Sequence, residues 1–154
     1  MQLSTRGRYA VMALVDLAAR EPETPARLVS LSEIAASQGI SPAYLEQLFA
    51  RLRRAGLVVS ARGPNGGYGL ARRADEVSVA SVIRAVDDAG APGECCLDAG
   101  DAGGAAGCPT AALWQALCLH IHHFLDTITL ADVVAGRLDG TRARPQPREA
   151  AVNA

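Results

Sequence analysis

Two predicted helices separated by a three-residue break constrain this chain more than any other feature of its sequence. The first, Leu31–Ser37, follows a Ser30 and Glu33 pair that has the spacing of a capping box. The second follows Ser41, with Pro42 at its first helical position and apolar residues at helical spacing. A glycine after each helix is suited to end it. Helix, short break and helix predict a helix-turn-helix.

A glycine-rich hairpin is predicted directly after the second helix. Leu57–Ser60 and Tyr68–Leu70 are short apolar runs typical of strands, and Arg62–Gly67 between them carries three glycines and a proline. A helix-turn-helix followed by such a hairpin predicts a winged helix. In that arrangement the second helix enters the major groove of DNA, and the wing lies beside the backbone or in the minor groove.

Capping residues and apolar periodicity predict four further helices: 5–20, Ser78–Val86, the long Thr110–Ile128 and the short Thr129–Ala135. The 89–109 segment is rich in Gly, Ala and Asp, has no periodicity that buries a face, and is predicted to be a loop. We expect the tail, Gly136–Ala154, to be disordered. The predicted fold class is therefore mainly α with a small β-hairpin.

Charge is divided unevenly between the two halves of the chain. Residues 1–73 hold ten arginines and five acidic residues, whereas residues 74–154 hold five arginines and eleven acidic residues. The net charge of −1 hides this division, and the chain contains no lysine. Arg-only usage also fits a GC-rich genome, but that cause does not explain the asymmetry. A positive first half favours a nucleic-acid partner.

Composition excludes two classes of protein. With 49% hydrophobic residues in 154, the chain is not a disordered one. No apolar stretch approaches the roughly 20 residues that span a bilayer, and the first eight residues lack the order of a signal peptide. We therefore expect a cytoplasmic protein without a membrane partner.

The predicted DNA contacts lie at the start of the second helix, further along it, and in the wing: Ser41, Tyr44, Glu46, Gln47, Arg51, Arg62 and Gly63. Glu46 is suited to accept from cytosine N4, and Gln47 to pair with adenine. Ser41, Tyr44 and Arg51 are better suited to phosphate oxygens. Arg62 beside Gly63 is suited to a narrow minor groove, because glycine lets the backbones approach. A solvated helix face and an ordinary hairpin turn are the alternatives.

An enzyme is disfavoured, because the sequence has no Ser-His-Asp set, phosphate loop or His-Glu-x-x-His pair. A winged-helix protein-interaction module is a second alternative. Steep loss of affinity with salt would distinguish a DNA-binding protein from that module.

Several runs in the sequence carry a family resemblance: 3–11, 39–54, 56–68, 86–88, 112–114 and 124–130. Over residues 1 to about 135 the chain resembles the IscR-like iron–sulfur cluster regulators of the Rrf-type winged-helix transcription factor family. The resemblance implies a homodimer that binds palindromic promoter DNA, in which the positions of Glu46, Gln47 and Arg62 contact the DNA. It also implies iron–sulfur assembly machinery as a further candidate partner.

The resemblance divides the chain into four parts: a DNA-binding domain at 1–88, a cysteine-containing effector loop at 89–109, a dimerisation helix and the short helix after it at 110–135, and the tail at 136–154. It also implies a [2Fe–2S] cluster in the loop. Cys96 and Cys108 fit the outer cysteine positions, but the middle one falls on Ala102 and the histidine position on Ala111. Such a cluster needs about four ligands, and Cys95 is the candidate for a third.

Three interpretations of these cysteines stay open. The first is a divergent cluster held by Cys95 or Cys96, by Cys108 and by further ligands, some of them from the partner subunit. The second is a cluster-free sensor in which Cys96 and Cys108 act as a thiol switch or bind another metal. The third is a constitutive regulator. Cys118 and the nearby His120, His122 and His123 also have metal-binding chemistry, but packing within an apolar helix is the favoured interpretation.

Overall fold

The computed structural model describes residues 4–20, 28–64, 66–87 and 110–138. The predicted loop at 89–109, with Cys95, Cys96, Cys108 and Ala102, lies outside these ranges, as does the tail from residue 139. Within them the chain forms six helices and one antiparallel sheet: α1 Thr5–Arg20, α2 Leu31–Gln38, α3 Pro42–Arg54, β1 Val58–Ala61, β2 Gly67–Leu70, α4 Val79–Val86, α5 Ala111–Thr127 and α6 Leu130–Val134.

Local capping chemistry sets the helix-turn-helix of α2 and α3. The Ser30 hydroxyl accepts from the Glu33 N–H at 3.3 Å, and the Glu33 carboxylate accepts from the Ser30 N–H at 3.0 Å. Gly39 then adopts a left-handed φ of 64°, which ends α2 without the penalty that a Cβ would add. Ser41 caps α3, and Pro42 occupies its first turn. These boundaries agree with the predicted helices.

One apolar core joins the helices of the amino-terminal domain. From α3, Leu45, Phe49 and Leu52 are fully buried, and they share the core with Leu14 of α1 and Val82 of α4. Every third or fourth residue of α3 therefore faces inward, and its other face is left for solvent or a ligand.

The hairpin is attached to the rest of the domain by backbone hydrogen bonds. Val58 pairs with Leu70 in the β1–β2 register. A separate bridge joins Val29 to Tyr68, with N–H to carbonyl distances of 2.9 and 2.8 Å. The Tyr68 ring also packs edge-on against Phe49 of α3, with 4.8 Å between ring centroids. The wing is thus held against both α3 and the segment before α2.

After α5 the chain returns to the amino-terminal domain. Leu130 of α6 is fully buried in the core, and its N–H donates to the Val77 carbonyl at 2.9 Å. Arg84 of α4 pairs with Asp126 near the end of α5 at 2.8 Å. None of the helices in the described ranges is long and apolar enough to cross a membrane.

Candidate nucleic-acid interface

The exposed face of α3 carries the side chains predicted to contact bases. Leu45 and Leu48, at 0% and 1% exposure, face the core, whereas Glu46 and Gln47 are exposed. Ser41, also exposed, accepts a hydrogen bond from the Tyr44 N–H at 3.3 Å and so starts the helix. Glu46 and Gln47 therefore lie together in the first half of α3, on the side away from the core.

Tyr44 is anchored within the protein. Its ring is half-buried and packs edge-on against Tyr9 of α1, with 5.9 Å between centroids. This contact fixes the direction of the side chain beside the exposed start of α3. The predicted phosphate contact would therefore be made by a side chain already held in place.

The three arginines at the end of α3 have different surroundings. Arg51 is half-buried, and its Nη1 donates to the Val86 carbonyl at 3.1 Å. The Nη1 of Arg53 donates to the Ser60 hydroxyl of β1 at 3.3 Å. Arg54 is exposed. The phosphate role predicted for Arg51 stays a prediction, because this guanidinium also has a partner within the protein.

Arg62 and Gly63 lie exposed at the tip of the wing. The Gly66 N–H donates to the Gly63 carbonyl at 2.9 Å and closes the turn. A Cβ on Gly66 would lie 2.4 Å from the Ala61 carbonyl oxygen, and one on Gly67 would lie 2.6 Å from that of Val29. Both distances are shorter than real contacts, so the wing needs glycine at both positions.

Arg73, beyond the wing, is also exposed but has an internal partner. Its guanidinium donates twice to the Asp75 carboxylate, at 3.1 Å each. The hydrogen bonds and the charge of Asp75 raise the pKa of Arg73 above its ordinary value. Arg73 is therefore engaged with Asp75, whereas Arg62 lies exposed at the tip of the wing.

A cluster at the end of α4 could not be predicted from the sequence. The Val86 carbonyl accepts from Arg6 of α1 at 3.3 Å as well as from Arg51 of α3. The Ser4 hydroxyl donates to the Asp87 carboxylate and accepts from the Gly7 N–H at 2.8 Å. Along the chain, Val86 is 80 residues from Arg6 and 35 from Arg51, and Asp87 is 83 residues from Ser4. No local spacing in the sequence therefore indicates these contacts.

Of the cysteines, only Cys118 lies in the part of the chain that the structure describes. It is 1% exposed within α5. This burial agrees with the packing role expected of Cys118 in an apolar helix.

The histidines of α5 form no metal site with Cys118 within the described ranges. No group of three metal-binding side chains is found there. His120 and His123 are exposed, and the Nδ1 of His120 lies 3.0 Å from the Ala116 carbonyl of the preceding turn. Ala111, at the position of the family histidine, is the first residue of α5.

α5 presents apolar side chains to solvent along most of its length. Leu113 is 60% exposed, Trp114 48% and Phe124 46%. Leu117 and Leu119 are exposed as well. Several large exposed apolar side chains on one helix are typical of an interface with another protein.

Comparisons with known proteins agree with this architecture. The Rrf2 family, described as iron-dependent transcriptional regulators, matches residues 3–136. The regulator IscR of Erwinia tasmaniensis is 48% identical over 134 residues, which cover 87% of this chain and 79% of that protein.

Two solved structures share the fold. T. potens IscR has a TM-score of 0.70 and 37% identity, covering 94% of both chains. CymR, the global cysteine regulator of B. subtilis, has a TM-score of 0.72 and 31% identity, covering 88% of this chain and 98% of that one. The predicted winged-helix fold, the regulator function and the exclusion of an enzyme are confirmed. The chain therefore belongs to the Rrf2 family and is a DNA-binding transcriptional regulator.

Proposed function

We propose that this regulator binds palindromic double-stranded promoter DNA as a homodimer in the cytoplasm, with one α3 in the major groove of each half-site. The observation that carries the proposal is the division of α3 into a buried apolar face and an exposed face with Glu46 and Gln47. A helix presented in this way, followed by a wing, matches the docking of helix-turn-helix proteins.

Each predicted contact has a separate task in this proposal. Glu46 accepts from cytosine N4, and Gln47 pairs with N6 and N7 of adenine. Ser41 and Tyr44 bind phosphates, which sets the register of the helix on the duplex. Arg62 enters the minor groove at the tip of the wing, where Gly63 allows close approach of the backbone. Arg51, which donates to the Val86 carbonyl within the protein, is assigned no direct DNA contact in this proposal.

The homodimer is supported by the exposed apolar face of α5. Leu113, Trp114 and Phe124 would leave water when two copies of α5 pair. Pairing two copies about a twofold axis also presents two α3 helices to two half-sites, which is why a palindromic site is proposed.

Regulation is proposed to act through the cysteines between α4 and α5. Cys95, Cys96 and Cys108 are the thiolates that would hold a [2Fe–2S] cluster. They do not complete a set of about four ligands, because Ala102 and Ala111 stand at two family ligand positions. The described residues add no group of three donors. A cluster held by these three cysteines therefore needs at least one further ligand, from this chain or from the partner subunit.

A cluster-free regulator in which Cys96 and Cys108 act as a thiol switch is the second candidate, and the alanines at two family ligand positions, Ala102 and Ala111, favour it. Two thiols give a disulfide by losing two electrons and two protons to an oxidant such as a peroxide. A reductant reverses the step. Under this candidate, DNA affinity follows the thiol–disulfide balance of the protein and does not require iron.

Purification without oxygen, with iron and sulfide analysis and an absorbance spectrum, distinguishes the two candidates. A cluster gives visible bands and about two iron and two sulfide per subunit. It is lost in Cys96→Ser and Cys108→Ser and kept in the matched Cys118→Ser. A thiol switch gives a colourless protein whose DNA affinity changes with reductant in the wild type and in Cys118→Ser, but not in Cys96→Ser or Cys108→Ser. An iron-free protein with no response to reductant would contradict both.

The DNA-binding proposal is tested with a duplex selected from a random-sequence library by the wild-type protein. Affinity for this duplex should fall steeply as salt rises, since arginine–phosphate contacts release counterions. Affinity for a scrambled duplex of equal length should be far lower. Equal affinities for the two duplexes would overturn the proposal and favour the protein-interaction module.

A further inference from the structure

The carbonyl of Val86 joins three helices of the DNA-binding domain. It is one of the last carbonyls of α4, and such groups have no partner within their own helix. Arg51 from α3 donates to it at 3.1 Å, and Arg6 from α1 donates to it at 3.3 Å. The carboxyl end of a helix attracts cations, so two guanidinium groups are well placed there.

The neighbouring residue strengthens the same junction. The Asp87 carboxylate accepts from the Ser4 hydroxyl, and that hydroxyl accepts from the Gly7 N–H in the first turn of α1 at 2.8 Å. The side chain of Val86 is itself fully buried in the core. The end of α4 is therefore fixed to α1 by Ser4 and Arg6, and to α3 by Arg51.

Arg51 is directed into this junction and not only toward solvent. Arg51 is half-buried, whereas Arg53 and Arg54 in the last turn of α3 are exposed. Arg6 and Arg51 each have at least one further interaction besides the Val86 carbonyl. Arg51 thus differs from the other cations of α3 in both burial and partner.

We propose that Arg51 is a positioning residue, which with Arg6 fixes the orientation of α3 through the Val86 carbonyl. The inference rests on the proposed function of α3 as the helix that reads bases. Base contacts require placement of the reading side chains to about 0.5 Å, whereas contacts to phosphate tolerate more variation. Loss of the Arg51 contact therefore affects sequence-specific binding more than non-specific binding.

The test compares full-length Arg51→Gln with wild type on the selected duplex and on its scrambled counterpart, over a range of salt concentrations. Arg51→Gln should weaken binding to the selected duplex by about two- to thirtyfold. Affinity for the scrambled duplex and the slope of log K against log salt should not change. The control Arg62→Gln removes a proposed DNA contact and should reduce the slope by roughly 1.8 for the two copies in a dimer.

If Arg51→Gln lowered affinity equally for both duplexes and reduced the salt slope as Arg62→Gln does, Arg51 would be a phosphate ligand. That result would overturn this inference but not the proposed function. A wild-type protein without preference for the selected duplex would overturn the proposed function as well. If Arg51→Gln fails to fold, Arg51→Lys replaces it, because lysine keeps the charge but lacks the planar fork. Arg51→Lys should still lose specificity, and unchanged affinities would contradict the positioning role.

Arg6→Gln tests the shared carbonyl independently, from a different helix. It should lower the preference for the selected duplex without changing the salt slope. In the double variant the two losses should be less than multiplicative, since both arginines act on one acceptor. Losses that multiply independently would show that the two arginines do not act together.

Discussion

α3 and α5 have apolar residues at similar helical spacing, yet the two helices differ in what covers those residues. In α3, Leu45, Leu48 and Leu52 are at most 1% exposed, whereas Leu113 and Trp114 of α5 are 60% and 48% exposed. The apolar face of α3 is covered by its own chain, and its polar face is exposed. In α5, by contrast, several large apolar side chains are left uncovered. Periodicity therefore shows that a helix has an apolar face but not which molecule covers it.

The largest effect is expected for Phe49→Ala, at the centre of the covered face. Phe49 is fully buried and packs on Tyr68 of the wing. Its truncation should lower the free energy of unfolding by about 3–5 kcal/mol, as measured by urea unfolding at several protein concentrations. The loss should be the same at every concentration.

Phe124→Ala is the matched variant on α5, where Phe124 is 46% exposed. It should act mainly by weakening the dimer, so its effect on unfolding should depend on protein concentration. If Phe49→Ala and Phe124→Ala lowered the free energy of unfolding equally at every protein concentration, the two residues would not differ in what covers them.

A charge in the uncovered face should separate the two copies. Leu113→Glu should weaken the dimer by about 2–4 kcal/mol, as truncation of a central interface residue does. Gln115→Glu, an exposed polar position of the same helix, is the control. Sedimentation equilibrium measures the dissociation constant of the dimer for each variant. A wild-type monomer, or equal dissociation constants for the two variants, would contradict pairing through α5.

The elements of the fold could be predicted because their signals are local. The capping box of Ser30 and Glu33, the left-handed Gly39 and the Ser41 cap each depend on residues within a few positions. The structure places α2 and α3 accordingly. The sequence pattern could not reveal the bridge between Val29 and Tyr68, because a single pair of backbone hydrogen bonds leaves no periodicity.

A methyl group in the wing should affect DNA binding more than stability. In Gly66→Ala the new Cβ would meet the Ala61 carbonyl oxygen at 2.4 Å, so the turn must shift. We expect about 2–3 kcal/mol of strain, relieved by a changed wing that no longer places Arg62 at the DNA. Binding assays and thermal unfolding measure the two effects. Unchanged affinity would show that the wing is dispensable.

The smallest effect is expected for a single base contact of α3. Glu46→Ala removes an exposed side chain, so stability should change by less than about 0.5 kcal/mol. Base preference at one position of each half-site should relax by about 1–3 kcal/mol. Ser32→Ala, an exposed position on α2, is the control. Competition binding with single-base variants of the selected duplex measures the base preference at each position. An unchanged preference would show that Glu46 does not read a base.

The site could be predicted only in part, because its contacts differ in range. Exposure of Glu46 and Gln47 follows from the period of α3. The ring contact of Tyr44 with Tyr9 and the bond of Arg51 to Val86 join residues 35 positions apart and have no sequence signature.

The most direct test of the account is the stoichiometry and affinity of binding to the selected palindromic duplex and to a copy with one half-site scrambled. If α5 pairs two chains and each α3 reads one half-site, two chains bind per palindrome, and scrambling one half lowers affinity by at least about tenfold. One chain per duplex, with equal affinity for both duplexes, would contradict the account.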